Sequence, residues 1–121
     1  MRIHLITCVK DKAEKSCPAI EMYKGDLFAR LVDIAQKEAD QFYILSGKYG
    51  LLLPETIISP YDVHLGRMPQ TYRMSWYQKV LSDLSKVCDL QSDHFTLFCA
   101  EPYYKGLIPF MKSFEIPMII H

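Results

Sequence analysis

The order of apolar segments in this chain predicts an α/β fold, a three-layer sandwich built on a mostly parallel four-stranded sheet. Three observations lead there. Short apolar runs alternate with stretches of helical period along the chain. Half of the residues are hydrophobic, which is enough to fill a core. The length of 121 residues suits a single domain, taken as residues 1–121, because domains typically run about 100 to 200 residues.

The first segment, Ile3 to Val9, sets Ile3, Leu5, Ile6 and Val9 around His4 and Thr7. It reads as a buried strand that the charges from Lys10 onward bring to an end. Pro18 suits the opening turn of a helix, with Ser16 as a candidate cap. Asp26 then precedes Leu27, Phe28, Leu31, Ile34 and Ala35, whose three- and four-residue spacing makes an amphipathic helix capped by the aspartate. Phe42 to Leu45 forms a second strand.

From Gly47 to Gln70 no helix or strand period stands out. Structureless stretches beyond about 15 residues in compact domains are usually functional or disordered. This one carries Leu51, Leu52, Leu53, Ile57, Ile58, Tyr61 and Leu65, so it is expected to pack and to shape a pocket. Thr71 to Cys88 is the clearest helix, with Tyr72, Trp76, Val80, Leu84 and Val87 along one stripe. Phe95 to Ala100 is a third strand. Tyr104, Leu107, Ile108 and Met111 suggest a helix that Pro109 shortens or kinks, and Ile116 to Ile120 is a fourth strand.

Lysine plus arginine equals aspartate plus glutamate, 14 against 14, which excludes a bulk polycation held on phosphate by net charge. No apolar run approaches the roughly 20 residues of a membrane span. The opening residues lack a signal-peptide pattern. Cys8, Cys17, Cys88 and Cys99 are spread without a C-x-x-C pair, so reduced thiols in a cytoplasmic setting are expected. His4, His64, His94 and His121 show no metal-ligand spacing, and no metal or other cofactor is expected.

Right-handed crossovers would bring the strands' C-terminal ends to one rim, where open α/β sheets bind their ligands. That rule nominates Cys8, Lys10, the turn Ser46-Gly47-Lys48-Tyr49-Gly50, and Glu101. Two glycines three apart allow tight turning and close approach of a ligand to the backbone. With Lys48 between them, the turn could hold an anion on backbone N–H groups. A plain turn with a solvated lysine explains the same residues. The segment is neither a Walker loop nor the three-glycine dinucleotide fingerprint. Pro60 stiffens the corner that follows, presenting Tyr61 as a stacking face and Asp62 as a base or acceptor. A packed tyrosine and a turn-capping aspartate are the alternative there.

Ile6-Thr7-Cys8-Val9-Lys10 with Met22-Tyr23-Lys24-Gly25-Asp26-Leu27-Phe28, then Leu45-Ser46-Gly47-Lys48-Tyr49-Gly50-Leu51-Leu52, Pro54, Ile58 and Pro60-Tyr61-Asp62, resembles an uncharacterised bacterial and phage domain family. The block from Leu45 to Leu65 also resembles the YaaA peroxide-stress proteins, which are associated with DNA binding. Both groups are distantly similar to the uracil-DNA-glycosylase-like fold, itself Rossmann-like in layout. The resemblance implies a nucleic-acid or nucleobase connection. It carries that connection to Cys8, Lys10, Ser46, Lys48, Tyr49, Gly50, Pro60, Tyr61 and Asp62. Neither the helix-hairpin-helix of the YaaA proteins nor a glycosylase histidine motif is recognised.

The resulting expectation is a domain that recognises nucleic acid or a nucleobase, with glycosylase-like hydrolysis of an N-glycosidic bond as its enzymatic form. Asp62 would be the catalytic residue. Cys8, Lys10, Ser46, Gly47, Lys48, Tyr49, Gly50, Tyr61 and Glu101 would bind the substrate. Two other readings stay open: a non-catalytic module that binds DNA or a protein in a stress- or phage-related role, and an enzyme acting on a small nucleotide.

Overall fold

A computed structural model describes residues 1–7 and 12–118. In chain order the elements are β1 (Arg2–Ile6), β2 (Cys17–Pro18), α1 (Ala19–Met22), α2 (Asp26–Glu38), β3 (Gln41–Ser46), β4 (Gly50–Leu52) and β5 (Ile57–Ile58). A 3-10 turn at Leu65–Arg67 leads into α3 (Gln70–Val87), β6 (His94–Phe98) and α4 (Glu101–Tyr104). A second 3-10 turn at Ile108–Phe110 precedes β7 (Ser113–Glu115).

The main sheet has five strands in the order β4-β3-β1-β6-β7. β1 pairs in parallel with β3 and β6, and β6 pairs in parallel with β7. β4 runs antiparallel to β3. A second, two-stranded sheet joins β2 and β5. The α/β class and the mostly parallel sheet agree with the sequence, but the strand count of four does not. The additional strand, β4, comes from the stretch that showed no period. Three residues are too few to display alternation, and the Gly50 turn folds them straight back onto β3.

The last strand also sits earlier than its apolar run suggested. Residues 113–115 pair with His94–Thr96, while residues 116–118 carry no regular structure. Residues 119–121 lie outside the described part. Polar contacts set the register: Ser113 Oγ lies 2.6 Å from His94 Nδ1, and the Thr96 hydroxyl donates to Glu115 at 3.1 Å.

Alternation along the central strands divides the core between the two faces of the sheet. Ile3 and Leu5 of β1 pack with Phe95 and Leu97 of β6 against Trp76, Val80 and Leu84 of α3. Ile6 and Ile44 face the other way, onto Phe28, Leu31, Val32 and Ala35 of α2. Each such fully buried aliphatic or aromatic side chain contributes about 1.5–3 kcal/mol. Ile34 and Val87, placed by their spacing on the buried stripes, are 36% and 40% exposed.

Helix starts differ in detail from the expected caps. Gly25 occupies the N-cap position and Asp26 the first turn, where its charge still complements the helix dipole. Ser16 caps nothing at α1; its hydroxyl meets that of Ser59 at 2.9 Å. Proline at position 109 limits the helix expected around Tyr104–Met111 to one turn of α4 and a separate 3-10 turn.

Candidate functional site

At the rim formed by the C-terminal ends of β1, β3 and β6, a hydrogen bond from the Thr7 N–H to the Phe98 carbonyl, 3.2 Å, joins the ends of β1 and β6. Cys8 and Lys10, nominated at this rim, lie outside the described residues.

β3 ends at Ser46, which is fully buried. Its hydroxyl accepts the backbone N–H groups of Lys48 and Tyr49 at 3.2 and 3.0 Å. Those two N–H groups are therefore engaged inside the turn. Gly47 is required by close approach: a Cβ there would stand 2.7 Å from the Val63 carbonyl oxygen. Gly50 has φ +79°, a left-handed conformation that glycine adopts without strain. Ser46, Gly47 and Gly50 thus build the turn from within, and Lys48 and Tyr49 form its accessible part.

Helix α3 clamps this turn with three side chains. Trp76 Nε1 donates to the Ser46 carbonyl at 2.8 Å, the Tyr72 hydroxyl to Gly47 at 2.7 Å, and Lys79 Nζ to Tyr49 at 2.8 Å. The sequence places these residues four and three apart, so one side of the helix reaches one loop. The same spacing suits core packing, and for that reason their second role was missed.

The proline corner closes over the turn. Tyr49 and Tyr61 meet edge to face with ring centroids 5.6 Å apart. The Tyr49 hydroxyl lies 3.3 Å from both the N–H and the carbonyl of Ser59, accepting from one and donating to the other. Tyr23 adds a third ring, its hydroxyl 2.5 Å from that of Tyr61. Two ammonium groups face these rings: Lys12 Nζ stands 4.6 Å from the Tyr61 centroid and Lys48 Nζ 5.2 Å from that of Tyr49. Lys12 and Tyr23 were not among the nominated site residues. The pairing of β2 with β5 brings their segment to the corner, and local sequence carries no sign of that pairing.

Asp62 points outward, its side chain 91% exposed, with Oδ1 3.2 Å from His64 Nε2. Two residues apart in extended chain, the pair shares one side of the backbone. Glu101 opens α4 and lines a different hollow, with Arg73, Tyr77 and Lys105. Asp62 does not line that hollow.

The thiols described with shifted acidity are poor nucleophiles. Burial pushes Cys99 up to about 12; burial, with Asp93 and Asp89 nearby, pushes Cys88 up to about 11. Among the described residues no group of three or more His, Cys, Asp or Glu side chains could hold a metal ion. Among the same residues no helix is long and apolar enough to cross a membrane.

Fold and rim together define an α/β domain whose mostly parallel sheet ends in a lysine-flanked tyrosine cluster. The chain matches a family described as a family of unknown function (DUF6884) over residues 3–119, and it belongs to that family. It is 31% identical over 121 residues to a UPF0246 protein of Polynucleobacter necessarius subsp. necessarius, covering 88% of this chain and 45% of that protein. A UPF0246 protein of Salinispora tropica is 38% identical over 72 residues, which cover 54% of this chain and 27% of the relative. A third, from Phenylobacterium zucineum, is 27% identical over 118 residues, with coverages of 88% and 44%. The chain spans less than half the length of these curated relatives. The distant similarity to UPF0246 proteins accords with the YaaA resemblance of the Leu45–Leu65 block.

Proposed function

We propose that the rim binds nucleic acid, with Tyr49 and Tyr61 contacting a base and Lys12 and Lys48 contacting the adjoining phosphates. The observation that carries this reading is the placement of two ammonium groups over two edge-packed tyrosines at the sheet's C-terminal rim. Tyrosine faces stack bases without demanding a sequence, at roughly 1–3 kcal/mol per base. Lysines within a few ångströms of those faces supply the charge that a phosphate backbone requires. The YaaA resemblance points in the same direction. We also read the fold as uracil-DNA-glycosylase-like, supported by four parallel strands with β1 inside and helices on both faces.

Hydrolysis of an N-glycosidic bond is the enzymatic form of the same reading. Asp62 would position water or stabilise positive charge on the sugar, with His64 as its neighbour. A second reading, a binding module without turnover, is favoured by the open setting of Asp62. A carboxylate 91% exposed to water is not screened from solvent as a reacting group in a closed site would be.

The test is binding of a fluorescein-labelled single-stranded oligonucleotide, followed by anisotropy across a salt series. Affinity should fall steeply with salt, with a slope of about −0.7 per phosphate contacted. Affinity that ignores salt, or that survives Lys12→Ala/Lys48→Ala intact, would remove the proposal.

A further inference from the structure

Away from the tyrosine cluster, α3 and the segment from Glu101 to Phe110 enclose a second hollow of about 620 Å3. Arg73, Met74, Tyr77 and Leu81 line its helical wall; Pro102 and Phe110 stand opposite. Its base is fixed. The Tyr77 hydroxyl donates to the Pro102 carbonyl, and any Cβ on Gly106 would collide with the Tyr77 ring. The hollow is thus formed before anything enters it, as small-molecule sites usually are. Met74 and Phe110 remain 51% and 55% exposed at its mouth.

Three charged side chains line the hollow: Arg73, Lys105 and Glu101. Neither cation lies within ion-pair distance of a carboxylate among the described residues. The excess of cations selects an anion, and the apolar walls select a body of rings or methylenes. We propose that this hollow binds a small organic anion with an aromatic or aliphatic body, its charged end held by Arg73 and Lys105. The volume falls within the roughly 300–1,000 Å3 typical of small-molecule sites. A docked partner helix fits less well, because one turn of α4 and a separate 3-10 turn make a short, broken second wall.

Trp76 is the chain's one tryptophan, and its ring lies 5.6 Å from that of Tyr77, so it reports on the hollow. The full chain would be titrated with 8-anilinonaphthalene-1-sulfonate and with the uncharged N-phenyl-1-naphthylamine. The expected result is one saturable site, with Trp76 emission quenched in step with binding. Arg73→Ala/Lys105→Ala should weaken the sulfonate at least about tenfold and spare the neutral dye, since each cation removed takes away a charge-assisted hydrogen bond. Met74→Asp and Phe110→Asp, at exposed positions that leave the core intact, should weaken both dyes. Dye uptake that never saturates, or that neither aspartate variant alters, would overturn the proposal. So would displacement of the dye by the oligonucleotide that tests the rim, since the hollow would then not be a separate site.

Discussion

The ammonium of Lys12 stands 4.6 Å from the centre of the Tyr61 ring, joining the segment before α1 to the proline-stiffened corner. This contact concentrates charge and aromatic surface on the rim although the chain as a whole is neutral. Lys12→Ala and Lys48→Ala should each weaken oligonucleotide binding across all sequences and make the salt slope shallower by about 0.7. Anisotropy at several salt concentrations measures both effects, and an unchanged slope counts against either lysine as a phosphate ligand.

Tyr49→Ala should cost about 1–3 kcal/mol of oligonucleotide affinity if its ring contacts a base. Tyr49→Phe keeps the ring and loses the Ser59 hydrogen bonds, so it should bind nearly as well as the parent. Equal losses in the two variants would assign Tyr49 to holding the loop.

Gly47→Ala should destabilise the domain by about 1–3 kcal/mol, because its Cβ meets the Val63 carbonyl oxygen at 2.7 Å and one chain segment must move. Denaturant unfolding checks this. A change within about 0.5 kcal/mol, the range of ordinary surface substitutions, would mean that residues 63–65 yield easily.

Asp62→Asn separates recognition from catalysis. If the protein releases a free base from DNA, the variant should lose about a hundredfold or more in rate with oligonucleotide affinity little changed. A variant that releases base at the parent's rate would take the catalytic role away from Asp62. The exposure of this carboxylate predicts a small effect of the change on stability.

Stability should fall on mild acidification through His4. This imidazole is buried, and its Nδ1 has no hydrogen-bond partner among the described residues. Burial holds it below the ordinary histidine value; Arg2 and His94 add to that effect, and Glu38 and Glu115 oppose it. The unfolded chain therefore takes up the proton first. The contribution is complete above the unfolded value and is lost as pH falls through that value toward the lower folded one. Urea unfolding across this range should show the loss, with a flatter profile in His4→Gln. An unchanged profile in the variant would assign the dependence to other groups.

Periodicity in the sequence was sufficient for α2, α3 and the three central strands, because each buries a stripe or a face against neighbours of the same kind. It failed where elements are short or polar. β4 and β5 are three and two residues long. β7 is selected by its hydrogen bonds with His94 and Thr96 rather than by the apolar residues that follow it. The Gly47–Gly50 turn was legible as a turn, yet its clamp by Tyr72, Trp76 and Lys79 was not, since core packing and loop contact use the same helical spacing.

By itself, the sequence determined that an α/β domain would form and that the glycine turn would follow its second major strand. Both depend on local backbone preference and on a regular apolar period, which neighbouring residues carry between them. Only the tertiary structure decided that Lys12 and Tyr23 would join Tyr49 and Tyr61, and that Glu101 would line another hollow. Such meetings depend on strand order and on the small β2–β5 pairing. Pairing of that kind is a relation between distant segments whose energy appears only once both are in place.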